Sequence, residues 1–95
     1  MGRTSAIVVE RPDERRLQAL GVTGWPIWEK EPSVFDWCYG EPETCYFLEG
    51  EVVVKAAGVD TSIRQGDLVT FPQGLRCTWH VRKTVHKRYR VGVGR

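Results

Sequence analysis

Regularly spaced turn signals constrain the fold of this chain more than any other feature of its sequence. Between residues 26 and 74, Gly and Pro residues recur and divide the chain into short segments. Within these segments apolar and polar residues alternate, as Phe35-Asp36-Trp37-Cys38-Tyr39 illustrates. Short alternating runs with turn signals about every eight to twelve residues predict an all-β sandwich or barrel.

One helix is predicted, close to the N-terminus, over Asp13–Leu20. Asp13 can cap its first turn, and Gly21 stands where a C-terminal stop belongs. A short strand over Ala6–Glu10 is predicted to precede it.

The remaining elements are predicted to be strands. Thr44–Leu48 and Glu51–Ala56 flank the pair Glu49-Gly50, which predicts a β-hairpin with that pair in its turn. Two separate strands, Arg76–Val81 and Val85–Val91, are predicted to end the chain.

The length of 95 residues fits a single domain over residues 1–95. No apolar run approaches the ~20 residues that span a bilayer, so no membrane association is expected. The N-terminus lacks the apolar stretch of a secretory signal. Three cysteines without a CxxC motif are typical of reduced thiols, and we therefore expect a cytoplasmic protein.

Charge is distributed unevenly along the chain. All twelve acidic residues precede residue 68, whereas seven of the fourteen basic residues follow it. No nucleic-acid-binding module or basic helix accompanies this bias. In a barrel, sequence-distant strands lie side by side, so acidic early strands can neighbour basic late ones. No nucleic-acid partner is predicted.

Two segments resemble the two sequence motifs of the cupin family. Glu43 and Gly50 have the Glu-to-Gly spacing that ends the first motif, and Gly66, Pro72 and Gly74 fit the second. The resemblance extends from about residue 7 to residue 91. It is shared with a branch of small single-domain cupins (RmlC-like jelly rolls) grouped with the cupin modules of ureidoglycine aminohydrolases and of ethanolamine-utilisation proteins. The matching segments are Trp25–Glu29, Phe35–Trp37, Glu43–Tyr46, Leu68–Pro72, Cys77–Trp79 and Lys87–Tyr89.

This resemblance implies an all-β fold, a small cupin jelly-roll β-barrel with one short N-terminal helix. It also implies a homodimer and a ligand cavity at one mouth of the barrel. An apolar edge strand near the N-terminus, containing Ile7 and Val9, is consistent with pairing between two copies.

The chain departs from the family at the positions that the resemblance assigns to metal ligands. The histidine positions of the first motif fall on Trp37 and Tyr39 or on Asp36 and Cys38, and that of the second falls on Cys77. Of the implied ligands only Glu43 is present, and the imidazoles that hold such metals are absent. We therefore expect no bound metal and no cofactor.

Strand alternation favours one of the two registers of the first motif. If Trp37 and Tyr39 face inward, Phe35 does too, and three rings are buried. The opposite register buries Asp36 and exposes the rings, which costs far more free energy. We therefore expect Trp37 and Tyr39 to line the cavity.

The last strand supplies a possible partner for Glu43. Its apolar members share a face with Lys87, and a buried ammonium group needs a counter-charge. We therefore expect Lys87 to meet Glu43 inside the barrel. The predicted ligand-binding residues are Trp37, Tyr39, Glu43, Cys77, Trp79, Lys87 and Tyr89. The catalytic candidates are Glu43, Lys87 and Cys77.

Each candidate also has a purely structural interpretation. Glu43 is either a general acid or base or a buried carboxylate neutralised by its neighbours. Cys77 is either a nucleophile or a small buried thiol, and the second state is the commoner one. The aromatic residues are either core or cavity wall, which in a barrel this small are the same surface.

Three function classes follow. The sequence favours a protein that binds a small polar metabolite in an aromatic-lined cavity without a metal. The alternative is an enzyme with little or no metal dependence that acts on a small nitrogen-containing or carbonyl substrate. A purely structural role is disfavoured, because a filled core would not need inward polar groups.

Overall fold

The computed structural model describes residues 7–92, and strands account for most of them. The chain runs in the order β1, α1, a short 3₁₀ helix, and then β2 to β7. The strands are β1 Val8–Glu10, β2 Ile27–Lys30, β3 Ser33–Cys38, β4 Glu43–Ala56, β5 Val59–Arg64, β6 Leu68–Phe71 and β7 Arg76–Val91; the helices are α1 Glu14–Leu20 and the 3₁₀ helix Val22–Gly24.

The two longest strands, β4 and β7, pair with each other along nearly their whole length and belong to two layers at once. In one layer the order is β1-β6-β4-β7-β2, formed by the first half of β4 and the second half of β7. In the other layer β5 pairs with the second half of β4, and β3 pairs with the first half of β7. All pairings are antiparallel, and the fold is the predicted all-β jelly roll.

The core lies between the two layers. It consists of inward-facing apolar side chains from both long strands and their neighbours, and Phe47, Phe71, Val54 and Val85 are fully buried within it. Their alternation with exposed residues along each strand follows from the period of two in a β-strand. Burial of these side chains stabilises the fold by about 1.5–3 kcal/mol each.

The predicted helix is confirmed. The Asp13 carboxylate accepts a hydrogen bond from the Arg16 N–H at 2.9 Å, and Gly21 ends the helix with φ +70°. The helix has no fully buried residue of its own. The preceding strand begins at Val8, and Ala6, where the prediction started it, lies outside the described residues.

The predicted hairpin at Glu49-Gly50 is wrong. β4 continues through this pair, and its register against β7 shifts between Phe47 and Val52, so the extra residues form bulges. Gly50 has φ +107°, and a β-carbon there would lie 2.5 Å from the Thr84 carbonyl oxygen. Gly50 therefore lies at a bend inside β4, where the neighbouring strand leaves no room for a β-carbon. In the sequence alone, a glycine at such a bend looks the same as a glycine in a turn.

The turn that ends β4 lies at Ala57-Gly58, where both residues have positive φ and connect β4 to β5. The final two predicted strands are one strand, β7, because residues 82–84 continue the chain in extended conformation between its two halves. Long bent strands that serve both layers explain this error and the one at Glu49-Gly50.

Candidate functional site

A cavity of about 270 Å³ opens between the two layers, and strands β2, β3, β4 and β7 supply its wall. Six of its nine lining side chains are aromatic, and two carry opposite charges. The lining residues are Trp28, Phe35, Trp37, Tyr39, Glu43, Trp79, Lys87, Tyr89 and Val91. Six of the seven predicted ligand-binding residues are therefore brought together here.

β3 presents the predicted register. Tyr39 is buried, and Trp37 lines the cavity with about half of its surface exposed. On the opposite face Asp36 is exposed and accepts a hydrogen bond from the Thr78 hydroxyl at 2.8 Å, and Cys38 is also exposed. The burial argument that placed the rings inward therefore identified the right face of the strand.

Tyr39 follows the end of β3 and is fixed by the turn that leads into β7. Its N–H donates to the Leu75 carbonyl at 2.9 Å, and its own carbonyl accepts from the Gly74 N–H at 2.7 Å. Its ring stacks on Phe71 with centroids 4.7 Å apart. These contacts hold the Tyr39 side chain rigidly in the cavity wall.

Glu43 and Lys87 form an ion pair inside the barrel. The Lys87 Nζ donates to Glu43 Oε2 at 3.0 Å, and the two side chains are 6% and 14% exposed for Lys87 and Glu43. Lys87 also donates to the Cys45 Sγ at 3.1 Å, and the Cys45 thiol donates to Glu43 Oε2 at 3.2 Å. The expected contact between strands β4 and β7 is thus present, with a buried thiol as its third member.

Two indole rings complete the surroundings of the Lys87 ammonium group. Its Nζ lies 4.8 Å from the Trp28 ring centroid and 4.9 Å from that of Trp79. Trp28 is directly opposite Lys87 in the β2–β7 pairing, which places both side chains on one face. The negative faces of the rings favour a positive charge at this position.

Burial and neighbouring charge shift the acid–base properties of two groups around the pair. Burial raises the pKa of the Cys45 thiol to about 12, although the nearby Lys87 ammonium opposes that rise. Burial also raises the pKa of Tyr39 far above its usual range, and the proximity of Cys45 and Glu43 adds to the rise. At neutral pH both groups are therefore uncharged.

The structure does not place Cys77 on the cavity wall, contrary to the expectation. Its thiol donates a long hydrogen bond, 3.7 Å, to the carbonyl oxygen of Trp37. The side chain is buried, and burial raises the pKa of the thiol to about 11, so it is a neutral thiol rather than a thiolate nucleophile. Its neighbours Trp37 and Trp79 carry longer side chains, which form the wall in its place.

The sequence did not identify Trp28, Phe35 or Val91 as members of the site. Alternation predicted that Phe35 faces inward with Trp37 and Tyr39, but only the pairing of β2 and β3 with β7 brings Trp28 and Phe35 to Lys87 and Trp79. Phe35 stacks on Trp79 at 5.9 Å, and Trp28 meets both rings edge-on. Strand partners are non-local information that alternation within one strand does not contain.

The residues present do not fit the transition metal that the cupin motifs imply. Glu43 is already neutralised by Lys87, and a bound cation beside it would face the ammonium group at close range. Within residues 7–92, no three His, Cys, Asp or Glu side chains are grouped so that they could hold a metal ion. A metal in this cavity would lack the three or four ligands that such sites need.

Comparison with known families gives one match. A family model described as "EutQ-like cupin domain" matches residues 17–89. No significant match was found among curated proteins. In residues 7–92 no helix is long and apolar enough to cross a membrane.

Solved structures with the same fold include a DUF861 family protein from Thermotoga maritima. It is 50% identical in sequence, with a TM-score of 0.89, and the match covers 90% of this chain and 99% of that one. EutQ from Clostridium difficile is 23% identical, with a TM-score of 0.65 and coverage of 70% of this chain and 52% of that one.

A putative ethanolamine utilisation protein Q from Salmonella typhimurium gives almost the same values, 23% identity and a TM-score of 0.65, with 70% of this chain and 54% of that one covered. This chain matches only about half the length of the two EutQ proteins, and at that identity the likeness shows the fold alone.

Proposed function

The chain belongs to the EutQ-like cupin family, and we propose that it binds a small polar metabolite in the aromatic-lined cavity without a bound metal ion. The observation that carries this proposal is the Glu43–Lys87 pair in the wall of an open cavity. A buried ion pair often stabilises a fold less than apolar residues of similar volume would. Its position beside empty space, among aromatic rings, is typical of a ligand site with a few convergent polar groups.

The size and charge of the cavity define the class of ligand. The cavity volume of about 270 Å³ lies just below the range of roughly 300–1,000 Å³ that is typical of small-molecule pockets, so the ligand is small. The charges of Glu43 and Lys87 cancel, which favours a ligand without net charge.

A second candidate is an enzyme that acts on a small nitrogen-containing or carbonyl substrate. The observation that favours it is the presence of an amine, a carboxylate and a phenol in one cavity, from Lys87, Glu43 and Tyr39. These groups can add to a carbonyl group, move a proton and donate a hydrogen bond. Fold membership does not choose between the binder and the enzyme.

The proposal can be tested by a thermal-shift screen of the purified protein against small uncharged amides, alcohols, aldehydes and ureides. A ligand at 100 times its Kd stabilises the folded chain by about 2.7 kcal/mol, which raises the Tm of a domain this size by about 10 °C or more. Trp37→Ala should abolish the shift. Val34→Ala, on the opposite face of β3 and exposed, is the matched control and should retain it.

Two results would contradict the proposal. One is that no compound of the panel raises the Tm of the wild type, or that an active compound raises the Tm of Trp37→Ala by the same amount. The other is stoichiometric Mn, Fe, Ni or Zn by elemental analysis that is lost in Glu43→Gln, because that would show a metal site built on this carboxylate.

A further inference from the structure

We propose that the Lys87 amine forms a covalent imine with a small uncharged aldehyde or ketone in this cavity, with Glu43 carrying the proton. This inference rests on the proposed function, since it needs the cavity to admit a small ligand. It adds a reactive atom, a bond and a chemical class of ligand to that function.

Lys87 differs from the other lysines of the chain in its surroundings. All four lysines lie in the described residues, and Lys87 alone lines the cavity. Lys55 and Lys83 form exposed ion pairs, with side chains 44% and 70% exposed. Lys87 is 6% exposed, so its accessible surface faces the cavity rather than bulk water.

Glu43 lies where it can take part both in the addition of the amine to the carbonyl group and in the loss of water that follows. Its Oε2 lies 3.0 Å from the ammonium nitrogen, within hydrogen-bond distance, so it can take one proton and leave a neutral amine. The nitrogen lone pair adds to the carbonyl carbon as the C=O π bond breaks, and one proton moves from this nitrogen to the oxygen, which gives a neutral carbinolamine with one hydroxyl group. Protonated Glu43 returns its proton to that hydroxyl, which leaves as water.

These reaction steps yield a protonated imine on Lys87, one water molecule and the Glu43 carboxylate. Atoms and charge balance without an oxidant or reductant. The nitrogen carries one positive charge before and after the reaction. The carboxylate at 3.0 Å and the indole rings of Trp28 and Trp79 therefore stabilise the iminium as they stabilise the ammonium.

The neighbouring thiol does not compete for the ligand. Burial raises the pKa of Cys45 to about 12, so the group stays protonated at neutral pH and is a poor nucleophile. It is also fully buried and is absent from the cavity wall. The amine is thus the nucleophile that a carbonyl carbon in the cavity would meet.

The charges of the wall select among carbonyl compounds. Among the nine lining residues the charged groups are Glu43 and Lys87, and each already neutralises the other. A 2-oxo acid would bring a carboxylate with no cation left to receive it, and burying an unpaired charge is costly. The cavity therefore favours an uncharged carbonyl compound over a 2-oxo acid of similar size.

The test is reductive trapping of the full-length protein with butanal and sodium cyanoborohydride, which delivers hydride to the iminium carbon and fixes a butyl group on the nitrogen. Peptide mass spectrometry then gives a rate for each lysine. We expect Lys87 to be butylated at least tenfold faster than Lys83. Pyruvate in place of butanal should label Lys87 at least tenfold more slowly. Lys83→Met should leave the Lys87 rate unchanged.

Glu43→Gln should lower the Lys87 rate at least tenfold while the Lys83 rate stays the same, and circular dichroism shows whether the variant is folded. The wild-type comparison of Lys87 with Lys83 decides the proposal even if this variant unfolds. Labelling of Lys87 no faster than Lys83 overturns it. If uncharged ligands still raise the Tm under that outcome, the cavity binds without an imine; if none does, the proposed function has failed as well.

Discussion

The Glu43–Lys87 pair gives the sharpest quantitative prediction, through the variants Glu43→Gln, Lys87→Met and their combination. Gln keeps the shape of Glu without its charge, and Met keeps most of the lysine stem against the Trp28 and Trp79 rings. Each single variant leaves one buried charge without its partner. The double variant removes both charges together.

The magnitude follows from the geometry. At 3.0 Å and an effective dielectric constant of about 20, the two charges attract by about 5.5 kcal/mol. Desolvation offsets several kcal/mol of this attraction for each ion. Removing one partner of a buried pair costs about 3–5 kcal/mol, whereas replacing both by apolar or neutral groups costs much less. We therefore expect each single variant to lose about 3–5 kcal/mol and the coupling energy to reach about 3 kcal/mol.

Urea unfolding followed by tryptophan fluorescence measures the free energy of unfolding of all four proteins. The matched control is the exposed pair Glu51–Lys83, at 3.4 Å with side chains 48% and 70% exposed for Glu51 and Lys83. Its cycle, Glu51→Gln with Lys83→Met, should give a coupling below about 1 kcal/mol. Additivity within about 0.5 kcal/mol at Glu43 and Lys87 would show that the two charges do not interact in the folded protein.

Three other predictions follow from the fold and the thiols. In urea unfolding, Gly50→Ala should lower the free energy of unfolding clearly more than Gly58→Ala does. Both glycines have positive φ, but only Gly50 is crowded by Thr84 and Val85. Equal decreases in the two variants would contradict the argument from close contact. Above pH 9 the unfolded chain releases the Cys45 proton while the folded chain keeps it up to about pH 12, so stability should fall by about 1.4 kcal/mol per pH unit from this thiol. Cys45→Ala should reduce this decrease in stability with pH, whereas Cys38→Ala, at an exposed thiol, should not. If neither variant changes the pH dependence, the decrease does not come from Cys45. We also propose a homodimer that covers the apolar edge strand β1, where Val8 is about half exposed. Light scattering at tens of micromolar protein should give a molar mass of about twice 10.9 kDa, and the mass of a monomer would contradict the proposal.

Local sequence signals predicted those parts of the structure that depend on local chemistry. The helix start at Asp13 and its end at Gly21 depend on one hydrogen bond and one positive φ, which these residue types supply. The inward register of Trp37 and Tyr39 followed from the cost of burying Asp36. The Glu43–Lys87 contact followed from the need of a buried ammonium for a partner, together with alternation on two strands.

The errors arose where a residue type serves two different backbone geometries. Gly50 was interpreted as a turn, but positive φ occurs equally at a bulge inside a long strand. The two predicted strands Arg76–Val81 and Val85–Val91 are one strand, β7, which crosses between the layers at Arg82 and Lys83 and exposes both. Whether a glycine ends a strand or bends it depends on the partner strand, which the local sequence does not specify.

Pairing across strands also decides which side chains form the cavity wall, and this has a consequence for the site as a whole. Trp28 reaches the Lys87 ammonium because β2 pairs with β7 in the register that sets them opposite each other. Cys77 is opposite Trp37 in the β3–β7 pairing, and its short side chain stays behind the rings. The buried carboxylate at the cupin position of Glu43 needs a positive charge nearby, and here a lysine on the neighbouring strand provides it at 3.0 Å. Because this positive charge is carried by a lysine amine and not by a metal ion, the site has a nucleophile where a metal site would have a Lewis acid.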